Sequence, residues 1–388
     1  MRFPEFSGEW KKDIIGNVIS VKSEKYNPHS NRTEFICVEL ESISQGTGEL
    51  LETFNSAEQK SIKNKFSPGT VLFGKLRPYL RKFYLPYFEG VCSSEIWVMR
   101  SNKIEPAFLY SFIQTPYFIS LANQSSGSKM PRADWGLIET SKIAYPPNSA
   151  ERVKIGKFLK LIDERIATQN KIIEEYKKLK NALAESLYYP KKSQELLKLK
   201  GLNSKWEQCF LKDVVENFCR RNKSHIQYPM YSVTNDLGFV PQSEKFEERT
   251  MMGEDISSYK VINKGDFAYN PARINVGSIA KYEGDNPCMI SSLYVCFRPK
   301  YNISSEWLQH LLKSQRMIYN YNLFGEGGVR IYLFFPNFGR IKISIPPLEE
   351  QKKIAAVIST IEQKISVENF ILDKLNTQKS FLLTKMFI

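Results

Sequence analysis

At 388 residues the chain exceeds what one hydrophobic core usually holds, so two or more domains are expected. A composition of 42% hydrophobic and 25% charged residues, with ordinary glycine and proline counts, is globular and excludes long disordered tails. The net charge of +14 favours an anionic partner, nucleic acid first, and its even spread suits one basic face better than a nonspecific polycation.

The opening, Met1-Arg2-Phe3-Pro4, is not a signal peptide, and no apolar run is long enough to span a membrane. A cytoplasmic protein with no membrane partner is expected. After Trp10, strand-like runs occupy Glu34–Leu40, Gly69–Lys75 and Val91–Arg100, rich in β-branched and aromatic residues and bounded by Pro, Gly or Asn. The spacing of Phe108, Phe112, Phe118 and Leu121 predicts one helix over Pro106–Asn123. Gly127–Arg132 reads as a basic loop and Lys142–Tyr145 as a last strand, ending at Pro146-Pro147.

A long helix follows. Asn148 is its expected cap, with Glu151 in capping-box register. Ten positions from 155 to 187 alternate steps of four and three, and eight are apolar, including Ile155, Leu159, Ile162, Ile166, Ile173 and Leu183. That is a coiled-coil seam. Tyr189-Pro190 stops it, because proline disfavours helix in the preceding residue, and Lys191–Lys200 reads as a linker.

The plan then repeats. Trp206 echoes Trp10; strands are expected at Tyr228–Thr234, Gly265–Asn270, Val276–Tyr282 and Cys288–Arg298; a helix at Ser304–Tyr321; a glycine loop at Gly325–Arg330. Lys342 and Pro346-Pro347 fall 200 residues beyond Lys142 and Pro146-Pro147, and Gly327 stands 200 beyond Gly127. The closing helix carries the matching stripe Ile354, Ile358, Ile361, Ile365, Leu372, Leu375 and Leu382. Neither helix can leave such a stripe in water, and each has a partner in the other. The expected architecture is α+β, with internal pseudo-two-fold duplication: two similar α/β domains joined by two long helices in an antiparallel coiled coil of roughly 55–60 Å. The expected boundaries are 1–148, 149–200 (helix and linker), 201–347 and 348–388.

The order of motifs resembles the specificity (S, HsdS) subunit of Type I restriction-modification systems over essentially the whole chain. The residues that carry it are Phe66–Lys82, Lys264–Ile279, Ile345–Ile354 and Lys379–Phe387, in that order and duplicated. Asn148–Arg152 departs from the pattern kept by Leu348–Lys352. The resemblance implies a non-catalytic DNA reader with two target recognition domains, each binding one half of a bipartite, asymmetric site. It implies double-stranded DNA, two methyltransferase (M) subunits and restriction (R) subunits as partners. No cofactor is expected on this chain; S-adenosylmethionine belongs on M, and ATP and magnesium on R.

The residues agree with a reader. A GxxxxGK[ST] phosphate loop is absent, and Asn270-Pro271-Ala272-Arg273 lacks the second proline and aromatic of an adenine-methyltransferase tetrad. Six cysteines without a CxxC pair and three scattered histidines favour buried thiols over a metal site, and no metal is expected. Arginine can read guanine bidentately and asparagine adenine, whereas lysine mostly positions on phosphate. The candidate DNA contacts are therefore Lys75, Arg77, Arg81 and Lys82 around Tyr79; Asn270, Arg273 and Asn275; Lys129, Arg132 and Arg330 on the glycine loops; and Arg220 and Arg221. The competing reading is a coiled-coil protein-interaction scaffold without sequence-specific DNA reading.

Overall fold

The structure is a computed structural model and describes residues 1–30, 33–124, 130–189, 206–242, 256–328 and 330–387. The chain divides into two compact units, Met1–Ile173 with Val367–Ile388, and Glu174–Ser366.

In the first unit β1 (Lys11–Ile14) starts the chain, followed by the one-turn α1 (Ile15–Val18). Five strands, β2 (Lys25–Tyr26), β3 (Ile36–Val38), β4 (Phe54–Asn55), β5 (Lys63–Phe66) and β8 (Gly90–Cys92), form a sheet ordered β2-β5-β8-β3-β4. Only β3 and β8 run parallel in it. A second sheet has β6 (Val71–Gly74) between β7 (Phe83–Tyr84) and β9 (Ile96–Met99). Helices α2 (Pro106–Phe112), α3 (Pro116–Ala122) and α4 (Trp135–Glu139) follow, and β10 (Lys142–Tyr145) returns to pair antiparallel with β1. The expected single helix over Pro106–Asn123 is two, because Thr115 caps a new start at Phe118 N and Pro116 takes its first turn. The expected strand Val91–Arg100 is likewise split, by a turn that brings Ile96 N to Ser93 O at 3.0 Å.

The second unit follows the same order. It opens on β11 (Glu207–Phe210) and α6 (Leu211–Val214). Strands β12 (Val215–Phe218), β16 (Phe267–Tyr269), β17 (Ile279–Lys281) and β19 (Val295–Pro299) form a sheet ordered β12-β19-β16-β17. Two ribbons accompany it: β13 (Tyr231–Val233) with β14 (Phe239–Pro241), and β15 (Lys260–Ile262) with β18 (Cys288–Ile290). The strand expected over Val276–Tyr282 starts late, since Ile274–Val276 is a 3-10 turn closed by Gly277 at φ 91°. The strand expected over Cys288–Arg298 also divides, at Ser291, whose carbonyl accepts from Tyr294 N at 3.2 Å. The expected helix over Ser304–Tyr321 is again two, α7 (Ser305–Leu312) and α8 (Gln315–Phe324), with Ser314 capping the second. Then α9 (Phe335–Phe338) precedes β20 (Lys342–Ile345), which pairs with β11.

The two long helices are α5 (Ser149–Tyr188) and α10 (Leu348–Met386). In the first unit Asp163 meets Lys379 and Gln169 meets Glu368, so the helices run antiparallel. In the second unit Lys180 meets Glu362 while Leu187 and Tyr188 share a core with Ile354 and Ile358, the same sense. Ile155, Leu159, Ile162, Ile166, Ile173, Ile354, Ile358, Leu375 and Leu382 are buried; Leu183, Ile361, Ile365 and Leu372 are half-buried. The stripes do not pack only on each other: Ile155, Leu159, Ile162 and Ile166 belong to one cluster with Phe108, Phe112 and Phe118.

Each long helix is tied at its start to the first helix after the sheet. Arg152 donates to Pro146 O at 2.7 Å and to the carboxylate of Glu105, the residue capping α2. Gln351 donates to Pro346 O at 2.9 Å and accepts from Ser304 N, the cap of α7, at 2.8 Å. Asn148 accepts from Ala150 N at 2.9 Å, but Glu151 does not complete a capping box. Its buried carboxylate is held instead by Arg2 through two bonds of 2.7 Å.

Candidate nucleic-acid interface

At the end of β6 the chain enters a tight loop. Gly74 N donates to Lys82 O at 2.8 Å, closing it, and between them Pro78–Leu80 makes a single 3-10 turn. Arg77 and Arg81 flank that turn in the left-handed region, at φ 53° and 51°. A non-glycine residue held there costs about 1–2 kcal/mol, so the loop keeps two strained arginines at its shoulders. Both are exposed, and Tyr79 between them is 54% exposed. A second loop lies against this one: Arg77 N donates to Pro131 O and Ala133 N to Lys75 O, each at 2.8 Å. Arg132 is thereby brought beside Leu76 and ion-pairs with Glu95 at 3.1 Å.

The second unit repeats one of these two loop-to-loop bonds with different side chains, while Arg273 N donates within its own loop to Asn270 O at 3.0 Å. Asn270 accepts from Ala272 N at 3.0 Å, and Leu333 N donates to Pro271 O at 3.0 Å, the counterpart of the bond from Ala133 to Lys75. Arg273 therefore stands where Arg77 stands in the first unit, two residues beyond the loop-to-loop bond, and is exposed. Asn275 donates to Asn322 Oδ1 at 3.4 Å. Glu326 and Tyr332 pair across the glycine loop, leaving Arg330 exposed at its tip.

Not every candidate joins these two loop pairs. Lys82 turns back to donate to Leu40 O at 2.6 Å and Lys75 is half-buried, while Arg81 stays on the loop and also reaches Gln114 O at 3.4 Å. Arg220 is engaged with Asp266 at 3.2 Å and lies over the Phe218 ring, while Arg221 bridges to Lys260. The Arg220–Arg221 pair is thus attached to β15 and not to the Arg273 loop. Lys129 lies outside the described residues. Sequence reasoning missed Tyr332 and Phe334, whose rings stack at 6.3 Å beside Arg330 and are 39% and 51% exposed. Their alternation around buried Leu333 was the available signal.

Elsewhere the chemistry is muted. Burial pushes the thiols of Cys37, Cys288 and Cys296 up to about 12, far from thiolate reactivity at neutral pH. Among the described residues no group of three or more His, Cys, Asp and Glu is placed to hold a metal ion, and no helix is long and apolar enough to cross a membrane.

The model of the family described as Type I restriction modification DNA specificity domain matches residues 8–178 and again 203–377. The chain belongs to this family. Membership gives it the family's role, DNA sequence specificity, and does not favour a scaffold without DNA reading. Among relatives of the specificity family, the Type I restriction enzyme MjaVIII specificity subunit of Methanocaldococcus jannaschii is 26% identical over 304 residues, 72% of this chain and 69% of that protein. The Type I restriction enzyme EcoDI specificity subunit of Escherichia coli is 31% identical over 88 residues, 22% of this chain and 20% of that one. The fold is shared with the type I restriction-modification S subunit from M. genitalium, at TM-score 0.59 and 17% identity, over 100% of this chain and 99% of that one. It is also shared with a chain from a structure of type I restriction-modification complex assembly and conformational transition, at TM-score 0.60 and 18% identity, over 98% and 97% of the two chains.

Proposed function

We propose that this specificity chain reads a bipartite, asymmetric DNA site, one half with each loop pair, across a spacer that it does not read. The observation that carries the reading is the matched frame: the same backbone bond between loops presents Arg77 in one unit and Arg273 in the other, with different neighbours. A shared loop-to-loop bond with unequal side chains fits two half-sites of different sequence. Arg77, Tyr79, Arg81, Arg132 and Lys129 would serve the first half; Asn270, Arg273, Asn275 and Arg330 the second. Lys75, Lys82, Arg220 and Arg221 would add positive potential and position on phosphate.

The chain would not itself catalyse. Two M subunits would dock on it and bring S-adenosylmethionine to adenine; R subunits would bring ATP and magnesium, all in the cytoplasm.

The test is to map methylated adenines in a host with and without the chain, its M partner present in both. A bipartite motif that vanishes with the chain supports the reading, and exchanging residues 1–148 should then change one half alone. An unchanged methylation pattern with an active M partner overturns it.

A further inference from the structure

A groove of about 670 Å³ in the second unit lies between the β11–β20 ribbon, the outer face of α8 and Tyr189. Among the described residues that line it four are cations, Lys212, Arg316, Arg340 and Lys342, and none is acidic. All four are exposed. Three of them are held by rings instead of carboxylates: Lys212 and Lys342 lie over Phe210 at 5.4 and 5.7 Å, and Arg316 over Tyr189 at 4.5 Å. Cation–π contact orients such groups without neutralising them, so their charge stays available to a ligand.

One helix joins the groove to the reading loop. Arg316, Asn320 and Phe324 recur at every fourth residue, one stripe of α8, and all three line it. The stripe ends at Gly325, where the loop carrying Arg330 and the exposed Tyr332–Phe334 stack begins. Cations, an amide and exposed aromatics that run into a base-reading loop fit a phosphodiester backbone better than an acidic peptide, which would have no reason to follow that loop.

The first unit has the same pocket with a different lining. Its ribbon pairs Ile14 with Lys142 where the second pairs Phe210 with Lys342. Gly16, Tyr117 and Thr140 stand at the places of Lys212, Arg316 and Arg340, counted from the same ribbon and from the caps Thr115 and Ser314. What remains is a largely apolar pocket of about 410 Å³ that includes Phe112, Tyr117, Ile143 and Phe387, with Lys12 and Lys142 as its cations. A partner that docks alike on both units has no use for the difference.

We infer that Lys212, Arg316, Arg340 and Lys342 form a phosphate clamp for duplex DNA flanking the second half-site, so that the second unit anchors the DNA electrostatically and the first does not. The inference rests on the DNA-reading function proposed above.

The test uses the full chain assembled with its M subunits, a duplex carrying the mapped motif, and binding measured by fluorescence anisotropy over a potassium chloride series. Each phosphate contact contributes roughly 0.9 to the slope of log affinity against log salt. The K212Q/R316Q/R340Q/K342Q variant should lose roughly two to four from that slope, with the methylated motif unchanged. An unchanged slope overturns the clamp. So does loss of M from the purified variant, which would make the groove a protein-docking surface. A slope loss as large in K12Q/K142Q overturns the asymmetry. If the unaltered complex shows no preference for its own motif, the reading function itself fails; if it shows that preference and the fourfold variant keeps its salt slope, the clamp alone fails.

Discussion

Lys379 Nζ lies 2.5 Å from Asp163 Oδ1 in the helix pair of the first unit, both side chains almost wholly removed from solvent. Nearby, Gln169 donates to Glu368 Oε2 at 2.6 Å. Polar pairs in an otherwise apolar seam specify register more than they stabilise it, because desolvation cancels most of their attraction. Lys379→Met should therefore cost about 3–5 kcal/mol by stranding a buried carboxylate, whereas Asp163→Leu with Lys379→Met should be close to neutral. Urea unfolding of the two variants checks this; a single variant as stable as the double would show that water already screens the pair.

The same pair predicts a pH dependence. Burial pushes the Asp163 carboxyl above its ordinary value, with Lys379 opposing. The folded chain then holds this proton at a pH where the unfolded chain has released it, so the group's contribution to stability declines as pH rises from the ordinary carboxylate range to the raised value. Without Lys379 the carboxyl rises further. The destabilisation caused by Lys379→Met should accordingly shrink on acidification, and a cost that is flat between about pH 5 and 8 would contradict the assignment.

Gly156, inside α5, makes a prediction opposite to helix propensity. Glycine in an exposed helix interior costs about 1 kcal/mol relative to alanine. Here a Cβ would sit 2.8 Å from Ala107 Cβ and 2.9 Å from its carbonyl carbon. Gly156→Ala should thus push α2 away and destabilise by about 1–3 kcal/mol. Thermal unfolding decides it: a gain in stability would mean that the two helices are not in contact.

Much of this fold was legible because its signals are local and repeated. The stripes from Ile155 and Ile354 have helical period, and Trp10, Pro146 and Gly127 recur with their counterparts. The elements missed depend on partners distant in sequence. Lys63–Phe66 becomes a strand only by lying between β2 and β8, and Glu151, in capping-box register, answers to Arg2 across 149 residues. Thr115-Pro116 and Ser314 break helices whose apolar spacing runs straight through them. At the interface, residue type singled out Arg77 and Arg273, but only the backbone bonds from Ala133 and Leu333 show that they occupy one position in two frames. Lys82 and Arg220 matched on type and were claimed by Leu40 and Asp266.

Arg77 allows backbone and side chain to be separated. Its φ of 53° suits glycine, so Arg77→Gly relieves strain while removing the guanidinium. Stability should stay level or rise by about 1 kcal/mol, since glycine's extra freedom in the unfolded chain offsets part of the relief. Reading should suffer: loss of a bidentate base contact costs about 1–3 kcal/mol of discrimination at one base pair. The mapped motif should become degenerate at a single position of the first half-site, with the second half intact. Arg273→Ala, at a negative φ of −138° that alanine can adopt, should do the same in the second half. Uniformly weaker methylation with both halves still read would make Arg77 a phosphate contact, and an unchanged motif at unchanged affinity would remove the loop from the interface.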